Sequence, residues 1–225
     1  MSWLERPETK KKNPAVKFLE WSSNNKCFTY YDKEKEETVL VELPLKFVIL
    51  EHYHTVKGWN DKSGSRIFSN EVLFLGTEEL KVKSFKGGEI ADGLYKEIKS
   101  KVSGAGGHYA RSIYAVTTDL ELVNISLKGS AVAKYSDFIQ EFGDNNFDKS
   151  WVVIKESQDM KKGAVSYTVP VFEKAQDIKD TSKIMPFADS LMSYMVGYKE
   201  NQASNTITKS QTSDNQADDD DEVPF

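Results

Sequence analysis

Five strand-like runs recur through the first half of this chain with no stretch between them long enough to hold a helix, and that spacing constrains the fold class before any motif is read. Cys27–Asp32, Thr38–Leu43, Leu45–Lys57, Arg66–Leu75 and Leu80–Lys86 are rich in β-branched and aromatic residues and alternate with short turn-prone clusters. A parallel sheet needs a crossover of a dozen or more residues between successive strands, so this pattern predicts antiparallel pairing in a barrel or sandwich. Later runs at Tyr109–Thr118, Leu120–Lys128, Trp151–Ser157 and Val165–Phe172 extend it. Three apolar stripes predict helices. Asp92 caps one carrying Leu94, Ile98 and Val102. Ser130 caps a second carrying Val132, Tyr135, Phe138, Ile139 and Phe142, with Gly143 past its end. Ile184, Phe187, Leu191, Met195 and Tyr198 mark a third. These stripes are read as core packing, and the expected fold is mainly β with a few helices.

At 225 residues the chain is long enough for a real core, and 12 Phe, 10 Tyr and 4 Trp argue against wholesale disorder. No apolar run approaches the roughly 20 residues that span a bilayer. The N-terminus runs directly into charged residues, so a cytoplasmic protein with no membrane partner is expected. A single Cys27 excludes an internal disulfide, and three histidines (His52, His54, His108) make a metal site unpromising. His52 and His54 share a strand face, which polar positions on a sheet explain as readily as a metal does. Gly104-Ala105-Gly106-Gly107 is not followed by Gly-Lys-Ser/Thr and leads into a strand, so it is read as a helix-to-strand turn and not as a phosphate loop. No nucleophile, base and orienter stand at a recognisable spacing. No enzyme, no cofactor and no metal are expected.

Charge is unevenly spread. From Glu200 to Phe225 seven acids face one lysine, a net −6, so the overall −5 leaves +1 for residues 1–199. Asn201–Ala217 is too polar to offset its chain entropy by burial and is read as a disordered linker. The expected organisation is one binding domain over 1–199 and a tail over 200–225. The tail ends Asp218-Asp219-Asp220-Asp221-Glu222-Val223-Pro224-Phe225. A solubilising tail has no use for that apolar tip, whereas a docking peptide fills a pocket with Phe and pairs its carboxylate with a cation.

The remaining signal is a binding surface. In Leu80–Lys86, Lys81, Lys83 and Phe85 share one face opposite Leu80 and Val82. Phe28 and Tyr30 share a face, as do Tyr109 and Arg111. Trp59 is expected in a polar hairpin loop, Gly58–Ser65, with Lys57, Lys62 and Arg66 around it. Rings interleaved with cations suit single-stranded nucleic acid, because bases stack on the rings and phosphates pair with the cations. Lys10-Lys11-Lys12 and Lys161-Lys162 are further cations that such a backbone could track, although runs of this kind are usually solvated faces.

The C-terminal tip resembles the acidic tip of bacterial single-stranded DNA-binding proteins, which closes with aspartates, an aliphatic residue, Pro and Phe. The body differs from theirs in length and element order. It is more similar to phage-encoded single-stranded DNA-binding proteins with an OB fold, in Leu43-Pro44-Leu45-Lys46-Phe47, Lys57-Gly58-Trp59 and Ser69-Asn70-Glu71-Val72, across Lys17 to Lys86. The resemblance implies an OB-like antiparallel barrel that coats single-stranded DNA in replication, recombination or repair, in the host cytoplasm if phage-encoded. It also implies a tail that recruits a polymerase, helicase, primase or recombinase, and that could fold back over its own domain, its reach being about 30 Å. A recombination mediator or strand-annealing protein is the alternative. Tetramer formation is not carried over.

Overall fold

The computed structural model describes residues 12–143 and 149–211, with side chains through Lys199. The elements run β1 (Lys17–Ser22), β2 (Cys27–Asp32), β3 (Glu37–Val41), β4 (Leu45–Asn60), β5 (Ser65–Phe68), β6 (Leu80–Ser84), β7 (Gly88–Gly93), α1 (Tyr95–Gly104), β8 (Gly107–Thr117), β9 (Leu122–Lys128), α2 (Ser130–Phe142), β10 (Ser150–Lys162), β11 (Val165–Asp177) and α3 (Met185–Gln211). The fold is mainly β with three helices among the described residues.

The strands form one sheet in the order β3-β2-β1-β9-β8-β4-β5-β6-β7, with the β10–β11 hairpin branching from β4 through Val152–Phe47 and Ile154–Leu45. Most pairs are antiparallel, as expected, but β1 runs parallel to β9, Leu19 opposite Ile125. The sheet is therefore mixed. It is also open rather than closed into a barrel. The β10–β11 hairpin meets the β1–β2 turn through side chains: Trp21 Nε1 donates to the Thr168 carbonyl at 2.9 Å, Thr168 N to Ser23 Oγ at 2.6 Å, and Lys26 pairs with Asp159 at 3.0 Å. No ladder links those strands, so the curl ends in isolated bonds.

Residues opposite each other in a ladder point to one side of the sheet. One side holds His52, His54 and Val56 of β4 with Ile113, Arg111 and Tyr109 of β8. Both α1 and α2 pack on it. Ile98 and Val102 of α1 join Val56, Ile67, Leu80 and Val82 in one cluster. Val132, Tyr135 and Ile139 of α2 join Ile49, Ile113, Ile125 and Phe172 in another. Each such aliphatic or aromatic side chain contributes about 1.5–3 kcal/mol when fully buried.

Several local expectations are corrected. The run Arg66–Leu75 leaves the sheet after Phe68, because side chains take over its backbone. Glu78 Oε2 accepts from Leu73 N and Phe74 N at 2.7 and 2.8 Å, and Asn70 Oδ1 accepts from Lys81 N at 2.7 Å. Only Val72 still bridges His54. Asp92 lies in β7 opposite Lys81, and Leu94 takes the cap position of α1. Ser130 Oγ donates to the Tyr167 hydroxyl and leaves the cap of α2 to Gly129, whose φ is 57°.

The chain divides into two compact units, Ala15–Met185 and a second that takes up the chain again at Pro186. Within the second, α3 is helical to Gln211, through residues expected as linker. Its rings Tyr194 and Tyr198 lie 5.8 Å apart. The acidic tip Asp218–Phe225 and Lys10-Lys11 lie outside the described residues.

Candidate nucleic-acid interface

The face of the sheet opposite the helices is built by simple alternation along β4. With Val56 turned toward α1, Lys57 and Trp59 turn the other way, and the β4–β5 register sets Trp59 beside Arg66 and Lys57 beside Phe68. Phe68 stands beside Lys83 of β6, and His108 of β8 stands on the other side of Lys57. A row His108-Lys57-Phe68-Lys83 thus crosses four strands, about 14 Å at the usual strand spacing. Trp59 and Arg66 form a second row. Trp59 is 52% and Phe68 45% exposed, and the two residues are diagonal neighbours in the ladder, their backbones about 7–8 Å apart.

Trp59 lies in a strand and not in the expected loop. The loop is shorter than expected and is held by Asn60, whose Oδ1 accepts from Lys62 N at 3.0 Å and Ser63 N at 3.3 Å. The hydroxyls of Ser63, Ser65 and Ser84 close a triangle of 2.7 to 2.8 Å that ties loop, β5 and β6 together. On the other flank, the glycine run after α1 earns its composition by close approach. A Cβ at Gly58 would lie 2.2 Å from the Gly106 carbonyl, and Trp59 N donates to that carbonyl at 3.3 Å. The indole is therefore mounted on backbone fixed from both sides.

Electrostatically the face is positive with acidic borders. Burial pushes the Lys57 ammonium below its ordinary pKa, with Lys128 and Arg66 acting the same way and Glu20 and Glu71 opposing. A partly desolvated cation attracts a phosphate more strongly than a hydrated one. Lys128 pairs with Glu20 at 3.4 Å, and Glu89 stands opposite Lys83. On the same side of the sheet as Lys57, Glu71 accepts from Ser112 Oγ and, at 3.0 Å, from the Tyr114 hydroxyl. Burial raises its pKa despite those bonds.

The structure sorts the expected residues into three groups. Lys57, Trp59, Arg66 and Lys83 share the open face; Lys62 is exposed in the adjoining loop. Phe85 is 78% exposed in the turn after β6, its N–H bonded to the Arg66 carbonyl at 3.0 Å. Lys81 is half-buried on β6. Phe28 is a correction: at 0% exposure, edge-on to Trp21 at 5.0 Å, it is core and cannot stack on a base. Tyr30 packs half-buried on the same core, with Lys17 over its ring at 5.4 Å. Tyr109 and Arg111 are on the helix-bearing side, away from Trp59. Sequence reasoning missed Phe68, His108 and Lys128. The alternation Arg66-Ile67-Phe68 carried the signal for Phe68, with Ile67 as the core residue between two exposed ones.

Among the described residues no three His, Cys, Asp or Glu side chains converge as a metal would need. None of their helices is long and apolar enough to cross a membrane. Comparison with known protein families, curated proteins and solved structures finds no match.

Proposed function

We propose that this chain binds single-stranded DNA non-catalytically, coating it during replication, recombination or repair and recruiting partner proteins through Asp218–Phe225. The observation that carries the reading is the pair of exposed rings, Trp59 and Phe68, set among Lys57, Arg66 and Lys83 on one rigid face. Bases stack on the rings at about 1–3 kcal/mol each, whatever their sequence, and the cations take the phosphates. The partner-recruiting part rests on the sequence of the tail.

Titration of the full chain with poly(dT), followed by tryptophan fluorescence at two salt concentrations, tests the proposal. Quenching with an affinity that falls steeply as salt rises is the expected result, because bound phosphates release counterions. Absent or salt-independent binding overturns it.

A further inference from the structure

A second feature lies on the other side of the sheet. Between the β4–β8 ladder and α2 is a cleft of about 410 Å³ lined by His52, His54, Arg111, Tyr135, Ser136 and Gln140. Arg111 is partly exposed, yet its Nε and Nη1 are sealed from solvent and make no hydrogen bond. Among the described residues it has no ion-pair partner, and no carboxylate lines the cleft. Buried donors are nearly always satisfied, and a guanidinium left without a counter-charge inside a cleft costs stability that an anion seated beside it offsets.

The other groups suit the same ligand. The Tyr135 hydroxyl shares a 2.9 Å hydrogen bond with His52 Nδ1, and the Tyr109 hydroxyl a 2.6 Å bond with His54 Nδ1. These bonds fix both imidazoles beside the guanidinium. Ser136 and Gln140, exposed on α2, add neutral donors at the rim. The volume falls within the range of small-molecule sites and exceeds what one bare anion fills.

We propose that this cleft is an oxyanion site that takes the phosphate group of a nucleotide or of a nucleic-acid strand, with the Arg111 guanidinium as its counter-charge. Arginine matches phosphate oxygens with a planar fork of donors, which lysine cannot do. The site stands apart from the single-strand reading, being on the opposite face from Trp59, so either can fail while the other holds.

The test is calorimetry and thermal melting of the full chain with inorganic phosphate, dTMP and thymidine, against chloride at equal ionic strength. Phosphate or dTMP at about five times its Kd should raise the melting temperature by about 2–4 °C, and thymidine should not. Arg111→Met should weaken phosphate binding about 10- to 150-fold, the loss expected for hydrogen bonds to a charged group. It should also melt higher than wild type in chloride alone, because it removes an unsatisfied charge. Gln140→Glu, an exposed helix position, should weaken binding by repulsion and guards against a folding defect in the first variant. Tighter binding of dTMP than of inorganic phosphate assigns the site to nucleotides, and preference for 5′-phosphorylated over 5′-hydroxyl oligo(dT) assigns it to strand ends; both support it. Wild-type protein that ignores phosphate and dTMP, or an Arg111→Met variant that binds them equally well, overturns it.

Discussion

Replacing Trp59 with Ala separates a stacking ring from a packing ring, because the indole does some of each. About half of it is buried. Half of the roughly 150–250 Å² that a large aromatic buries, at about 25 cal/mol per Å², sets an upper bound of about 2–3 kcal/mol on lost stability. For a domain of this size that corresponds to a melting temperature lower by about 4–12 °C. The exposed half is what a base would cover, and losing one stacked base costs about 1–3 kcal/mol, or about 5- to 150-fold in Kd. Anisotropy of a labelled dT oligonucleotide, measured at 20 °C where the variant is still folded, reads the second effect without the first. Phe68→Ala belongs beside it, since rings that grip the same strand should show coupled losses in a double-mutant cycle. A folded Trp59→Ala variant with a Kd within about twofold of wild type would refute the stacking argument.

Four further outcomes are expected. The salt dependence of binding should have a log–log slope of about −3.5 when the five cations Lys57, Lys62, Arg66, Lys83 and Lys128 each meet a phosphate, and Arg66→Ala should flatten it by about 0.7. Phe28→Ala should cost about 3–5 kcal/mol in urea unfolding while leaving affinity per folded molecule unchanged, since its ring is core. Gly58→Ala should unfold the protein or weaken it severely, because its new methyl meets the Gly106 carbonyl and no flexible side chain is there to yield. Burial, aided by Arg111 and His52, lowers the His54 pKa from 6.5 to about 4. The unfolded chain therefore binds the extra proton between those values, and stability falls as pH drops through that window. The full linkage of about 3 kcal/mol is cut to about 1–2 by solvent screening of a half-exposed ring. His54→Gln should flatten this acid limb in urea midpoints taken at pH 7 and 4.5.

Side-chain period along the chain was enough to place most strands and the core faces of α1 and α2, because that period is a local property. It separated Lys57 and Trp59 from Val56, and Lys83 from Val82, without any tertiary information. It could not say which face of a strand meets the helices, and so Phe28-Tyr30 and Lys57-Trp59 looked alike although one pair is core and the other open. β1 escaped notice because its partner, β9, lies about a hundred residues away in a parallel ladder that no local pattern announces. Trp59 reads as a loop residue for a similar reason: its strand is prolonged by Gly106 and Arg66, both contributed from elsewhere in the chain. The tertiary structure alone decided that the sheet stays open and that Tyr109 and Arg111 face away from Trp59. It alone left a guanidinium in a cleft without an acceptor. Those are consequences of which distant strands pair and which helix covers which side, set by the summed burial of the whole chain rather than by any one segment.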